Sequence, residues 1–472
     1  MTTTSPPSFS HARIAPGPRG LPFVGNLVDV RRDRLGTFLR AAVEHGDVAR
    51  LEFGVLAGRR IGHLLRHPDH IKHVLVDAPD NFDKQTPGFT RLREVLGEGL
   101  LTSEGSFWLR QRRIAQPAFH RQRIASFAGV MVRAGEERVN AWLERARRDE
   151  PIDVAEEMMS LALRIVCETL LGIDMVDTGT VSQAVDVLLA DVRNGLGSFF
   201  SLPRRVPIER NRIFLEAADT LDRQVQRIID ARRKSGTEAS DLLSLLMAAR
   251  DPETGEGMSD RQLRDEVMTM FLAGHETTAN ALAWTFWLLS LHPDVRRKLS
   301  AELSSVLEDG RLPTFEDVGR LEVTTRVLQE SMRLYPPAWI IARRALRDDV
   351  IGGYAIPAGS LIFLSSYVTH RHPAYWENPE GFDPDRFAGG AISRLPRFAY
   401  FPFGGGPRQC IGMSFAMVEA TLLLATIGRR VHLDLLPGQR VVPEPGVTLR
   451  PSGEIRMRIV PVEPASTARN GA

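Results

Sequence analysis

FGGGPRQCIG, residues Phe403 to Gly412, places Cys410 behind three glycines and Arg408, and ahead of an apolar helical pattern. A thiol in a glycine-rich turn, two residues from an arginine and close to helix-terminal N–H groups, is expected to have a lowered pKa. The thiolate so favoured is the form in which sulfur ligates a soft metal. No Gly-Lys-Ser/Thr follows the glycines, which removes the phosphate-cradle reading. The other cysteine, Cys167, lies inside an apolar helical pattern rather than where a disulfide partner is expected, and no neighbouring CxxC completes a zinc site. Two readings remain open. One is a catalytic nucleophile, for which nothing local supplies a histidine base; the other is axial ligation of haem iron by a single thiolate.

Working outward, 472 residues with 43% hydrophobic content are enough for a large core, in one large domain or two to three smaller ones. Sixty basic side chains against fifty-eight acidic ones give a net charge of +2, so no global charge argues for nucleic acid. Two cysteines fit a reducing compartment. Residues 1–15 lack a basic segment followed by an apolar one, so neither a secretory signal nor a membrane anchor is expected, and the protein is expected to be cytoplasmic.

Along the chain, residues 1–15 read as a disordered head and 461–472 as a disordered tail, flanking one domain over 16–460. Pro16 to Asn26 is a rigid Pro/Gly segment, residues 34–46 a helix, and Val48 to Leu65 a pair of short strands with Gly58 near the turn. His63, His67, His70 and His73 are read as a partly solvated face around a helix start at Pro68, not as a metal cluster. Residues 80–105 lack a clean period and read as a long irregular loop with Phe89 and Leu100 among its apolar points. Trp108 and Arg112 share a helix face at i, i+4, where both can donate to an anion, and Arg110, Arg113, Arg121 and Arg123 extend them into a basic patch. Amphipathic helices then run to about residue 250, with Phe199 and Phe200 in one connection.

Ser259 to Leu291 reads as one long buried helix, opened by the capping box Ser259-x-x-Gln262 and closed by His292-Pro293. Its middle holds the polar break Gly274-His275-Glu276-Thr277-Thr278. There Gly274 removes a side chain and Thr277 is expected to bond back to the carbonyl of Ala273, opening a groove. A hydroxyl beside a carboxyl at such a groove suits proton delivery to dioxygen at a haem iron.

The spacing of Phe403, Gly406, Arg408, Cys410 and Gly412 resembles the signature of the cytochrome P-450 (haem-thiolate) family. Ala273 to Thr278, Trp108-x-x-x-Arg112, and Glu330-x-x-Arg333 followed by Phe382 to Phe387 resemble further motifs of that family, in its order. The resemblance implies a mainly α fold with a small β region, single and triangular, with a long central helix crossing the haem. It implies haem b held by Cys410, with Trp108, Arg112, Arg344, Phe403 and Arg408 as cofactor-binding residues; the adjacent Arg343 competes with Arg344. Thr277 would be the hydrogen-bond donor in oxygen activation, Glu276 the proton relay, and Glu330, Arg333 and Arg386 a buried network holding the cysteine loop. The irregular segment 80–105 would roof a substrate pocket lined by Phe89, Leu100, Phe200, Ala273, Ala338 and Ile340, with Trp339 turned away. The implied enzyme is a monooxygenase of secondary metabolism. It would oxygenate an apolar terpene, fatty acid, steroid or polyketide with O2 and electrons from a separate ferredoxin or flavoprotein docked on the basic patch, working as a monomer without a membrane span. A non-catalytic haem-thiolate sensor, or a peroxide-using member, is the alternative.

Overall fold

The capping box forms as read. Ser259 Oγ accepts the Gln262 N–H at 3.3 Å, Gln262 Oε1 accepts the Ser259 N–H at 2.8 Å, and the helix runs Asp260–Leu291. At 1.5 Å per residue its 32 residues span about 48 Å. His292 ends it, and Pro293 begins the next helix. The computed structural model describes residues 9–54, 58, 60–172, 183–185, 187–188, 190–192, 203–235 and 241–462.

Seven helices position the site: α1 (Pro87–Leu96), α2 (Gly105–Ala115), α3 (Arg121–Ala146), α4 (Val154–Val166), α5 (Asp260–Leu291), α6 (Glu322–Leu334) and α7 (Met413–Gly428). The long helix α5 packs along α4 and crosses α6 and α7, while α7 also lies along α3. The α3–α7 crossing is close because Gly135 has no side chain; a Cβ there would stand 3.1 Å from Leu423 Cδ2. One apolar core joins these helices, with Met131, Leu161, Leu282 and Leu423 fully enclosed.

The small β region is a five-stranded sheet of β1 (Val48–Phe53), β2 (Arg60–Leu65), β3 (Phe82–Asp83), β4 (Ile341–Ala345) and β5 (Leu361–Leu364), in the order β1-β2-β5-β4-β3. Only β2 and β5 are parallel. The closing strand Arg456–Pro461 pairs with Val431–Leu435 and Ile152–Asp153.

Two differences from the sequence reading stand out. The irregular loop of residues 80–105 contains α1, whose start is Thr86 accepting the Phe89 N–H, with Pro87 in the first turn. Residues 9–15, read as part of a disordered head, pack on the domain: Ala15 is buried, and Arg13 N–H donates to Gly353 O at 3.1 Å. Residues 1–8 and 463–472, the rest of the proposed head and all but the first two residues of the tail, lie outside the described residues. No helix among the described residues is long and apolar enough to cross a membrane.

Candidate active site

Cys410 sits between a one-turn helix at Gly406–Arg408 and the start of α7. Its N–H donates to Phe403 O at 3.0 Å, closing the loop on itself. Gly404 and Gly406 adopt left-handed φ of 67°, and Gly406 lies against the Leu75 carbonyl where a Cβ would be 1.9 Å away. Those two glycines thus serve the turn and its packing, and only Gly412 donates a backbone N–H toward the sulfur. The lowered thiol pKa expected from the sequence is not found. Although the residue keeps an exposed surface, desolvation by the protein around the sulfur pushes the Cys410 thiol up, and the Gly412 N–H with the Arg112 charge only partly offsets it. Arg112 Nη1 instead clips the loop, donating to Gln409 O at 2.9 Å.

Arg408 stacks on Trp108, its Cζ 3.6 Å from the ring centroid, and donates to Ser103 O and Glu104 Oε2 at 2.9 and 2.8 Å. Burial pulls its pKa down to about 10. Arg343 is buried too, its pKa also pushed down to about 10, and its Nη1 donates to the neighbouring Ala342 O at 2.9 Å. Strand alternation sends Arg344 the other way, onto Asp83 Oδ2 at 2.5 Å. Of the adjacent pair, Arg344 is thus engaged by a carboxylate, while Arg343 is the buried one. Lys84, which the sequence reading missed, is also buried, donates to Leu101 O at 2.7 Å and has its pKa driven well down by burial and by Arg343 and Arg408. Its position in a mostly polar stretch gave no signal.

Lys84, Arg343 and Arg408 thus gather around Glu104, with Arg112 acting on Arg408, Arg93 on Lys84 and a second carboxylate, Asp83, on Arg343. Such an excess of buried positive charge calls for an anionic group. The two carboxylates of a haem answer it, and four other positions agree. Ala273 is exposed and Thr277 half-buried in the middle of an otherwise buried helix, Ala338 is exposed between buried neighbours, and Cys410 is exposed in a half-buried loop. These residues fit a haem ligated by the Cys410 thiolate. Arg343→Leu is expected to weaken haem retention several-fold by leaving one carboxylate unpaired. Arg344→Leu removes a partly exposed pair worth about 0–1 kcal/mol and should retain haem normally. Haem loss to apomyoglobin, followed by absorption, measures both, and equal loss in the two variants would refute the assignment.

On α5, Thr277 Oγ1 donates to Ala273 O at 2.7 Å, as expected. Gly274 does not open the groove, however. It faces α4, where a Cβ would be 3.1 Å from Val166 Cγ2, so its smallness serves helix crossing. Glu276 is buried, with Oε1 accepting from Thr448 Oγ1 at 2.7 Å, and Asn280 Nδ2 donates to the same hydroxyl at 3.1 Å.

Glu330, Arg333 and Arg386 do come together. Arg333 Nε and Nη2 grip Glu330 at 2.6 and 2.8 Å, and Arg386 Nε reaches it at 3.3 Å. Arg333 also donates to the carbonyls of His370, Pro379 and Gly381. His370, another residue the sequence did not single out, carries the network to the cysteine loop: its Nε2 accepts the Phe401 N–H at 2.9 Å. Acceptance there places the ring proton on Nδ1, which faces Arg333 O at 3.3 Å. Burial and Arg333 hold His370 neutral, with a pKa of about 3.

Among the pocket candidates, Ala338 is exposed, Trp339 buried and Ile340 half-buried, the alternation expected. Phe89 lies on α1 beneath Lys84, whose Nζ is 5.4 Å from the ring centroid, and Leu100 is buried. Phe200 lies outside the described residues. The basic patch is smaller than expected, because Arg110 and Arg113 pair with Asp251, Glu256 and Glu253. Arg121 and Arg123 remain exposed at the start of α3. His67 Nδ1 accepts the Asp69 N–H as a helix cap, and no histidine metal cluster occurs among the described residues.

Comparison with known proteins agrees. Residues 15–457 match the cytochrome P450 family. The chain is 38% identical to cyclooctatin synthase of Streptomyces melanosporofaciens, covering 97% of this chain and 98% of that protein. It is 34% identical to pentalenene oxygenase of Streptomyces avermitilis, covering 95% and 97%. The solved cytochrome P450DA heme domain superposes with a TM-score of 0.87 at 30% identity, covering 96% of this chain and 99% of that one. With its thiolate loop, its buried cations and its long central helix in place, the chain belongs to the cytochrome P450 family and is a haem-thiolate monooxygenase.

Proposed function

We propose that the substrate is a cyclic terpene, hydroxylated at an unactivated carbon. The observation that carries this reading is the apolar character of the exposed positions, Ala273 and Ala338, around the single hydroxyl of Thr277. Such a surface recognises a hydrocarbon by shape, without ionic or multiple polar anchors. Two relatives with terpene-derived names, cyclooctat-9-en-7-ol 5-monooxygenase and pentalenene oxygenase, support it.

When bound, haem b supplies the activation of dioxygen and the insertion of one oxygen atom. Cys410 Sγ would hold the iron, and Arg112, Arg343, Arg408 and Lys84 would neutralise the carboxylates, with Trp108 as the platform for Arg408 and Phe403 O fixing the loop. Thr277 lends its hydroxyl to the Ala273 carbonyl at rest; turned into the cleft, the same hydroxyl donates a proton there. Glu276 holds the next proton, and its tether to Thr448 keeps the carboxyl beside Thr277 without filling the cleft. Electrons come from a separate cytoplasmic ferredoxin or flavoprotein, steered by Arg121 and Arg123 on the face where Phe119 lies beside Gly412.

Thr277→Ala is expected to lower coupled product formation about 10²-fold while substrate binding changes little; product formed per electron consumed is the measurement. Unchanged coupling would remove Thr277 from proton delivery. Pentalenene, cyclooctat-9-en-7-ol, lauric acid and progesterone, titrated separately against the ferric Soret band, test the substrate class. A stronger response to the fatty acid or the steroid would overturn the terpene assignment.

A further inference from the structure

Residues Gly97–Ser103 form a strap that the chemistry above does not use, yet it is held by side chains at both ends. On one side it lies on α5. Asp265 Oδ2 accepts the Glu98 N–H at 2.9 Å, and Glu266 Oε2 accepts the Leu100 N–H at 3.1 Å. Two glycines allow the approach: a Cβ on Gly97 would be 2.3 Å from the Asp265 carboxyl, and one on Gly99 would be 2.1 Å from Thr269 Oγ1. On the other side the cation cluster takes hold. Lys84 donates to Leu101 O at 2.7 Å, Arg93 to Thr102 O at 2.7 Å and Arg408 to Ser103 O at 2.9 Å.

The strap therefore bridges the cofactor's cations and the central helix. At 100° per residue, Glu266, Ala273 and Thr277 fall within about 20° of one line along α5, so Glu266 occupies the stripe that faces the cleft, about 10 Å before Ala273. Glu266 is fully buried, and its second oxygen, like Thr269 Oγ1, has no hydrogen-bond partner among the described residues. A carboxyl enclosed in this way is destabilising by itself, and burial raises its pKa to about 7. The contact it makes is local: one N–H of the strap, that of Leu100, whose side chain is buried.

We propose that Glu266 is a positioning residue for substrate specificity: by accepting the Leu100 N–H it fixes the height of the strap over the cleft, and with it the size of ligand that fits beside the iron. This rests on the reading that residues 97–103 roof the substrate pocket, and not on which substrate is used. Asp265 and the two glycines fix the strap's lateral seat, and Glu266 its depth.

The test uses the haem-loaded full chain with two iron-ligating probes, imidazole, which needs no roof clearance, and 4-phenylimidazole, which fills the space beneath the roof. Both are titrated by the shift of the Soret band. Glu266→Leu should weaken 4-phenylimidazole about tenfold, because a loosened roof loses its preorganised contacts, and should leave imidazole within about twofold. Glu266→Gln retains an oxygen for the Leu100 N–H and should restore 4-phenylimidazole to within about threefold. Unchanged discrimination in the leucine variant, or failure of glutamine to restore it, overturns the proposal. If Glu266→Leu does not hold haem, Gly99→Ala lifts the strap off the same face of α5, its methyl meeting Thr269 Oγ1, and must show the same selective loss; wild-type discrimination in that variant overturns it as well. Neither probe is a terpene, so rejection of the terpene assignment leaves this test intact.

Discussion

Arg333→Ala is expected to give a chain that retains little haem and unfolds at far lower denaturant than the parent. Arg333 is wholly buried, and its removal leaves the Glu330 carboxylate with only Arg386 at 3.3 Å and the Asp383 N–H. Breaking a buried ion pair from one side is destabilising by roughly 3–5 kcal/mol. Three carbonyls, of His370, Pro379 and Gly381, lose their donor in the same step. Against a total stability of about 5–15 kcal/mol, that is a large fraction. The damage also propagates along a defined route, because His370 is both a carbonyl partner of Arg333 and the acceptor for Phe401 at the entrance to the cysteine loop. Haem content per chain and the urea midpoint measure the effect. A variant that loads haem fully and unfolds with the parent would show that the network does not hold the loop. Lysine at 333 should rescue only partly, since a single ammonium cannot grip both Glu330 oxygens and three carbonyls at once.

Cys410→Ser is expected to abolish the thiolate signature and reduce oxygenation by on the order of 10³-fold or more, the scale on which loss of a preorganised electrostatic group acts. The absorption of the reduced, CO-bound protein should move to the position typical of a haem without thiolate. An unchanged band would assign the ligand elsewhere. Because desolvation favours the protonated form of the free thiol, haem loading would have to displace that proton and should release one proton per haem.

The residues that sequence read well are those whose signal is local. Ser259-x-x-Gln262 announces a helix start, and the long apolar run behind it announces burial; both hold over 32 residues. Cys410 and its turn were legible for the same reason. What failed depended on partners far along the chain. Arg343 and Arg344 are indistinguishable until the pairing of β4 with β3 and β5 says which one faces Asp83. The purpose of Gly274 is set by Val166, more than a hundred residues earlier. Lys84 gains meaning only beside Arg343 and Arg408, and His370 only between Arg333 and Phe401. The Cys410 thiol went the other way because burial, invisible in a ten-residue window, outweighs a neighbouring charge. The start of α1 at Thr86-Pro87 carried a local signal after all, hidden in a segment whose later residues lack a period.

The central helix also limits how the gene can change in length. Asp265 and Glu266 set the strap, and Ala273 and Thr277 face the cleft, all from one continuous rod. Inserting or deleting a single residue between Glu266 and Ala273 would turn one group against the other by about 100° and shift it by 1.5 Å. No loop lies between them to absorb the change. Substitutions can accumulate along this stretch one face at a time, whereas an insertion or deletion would uncouple the roof from the floor of the site at once.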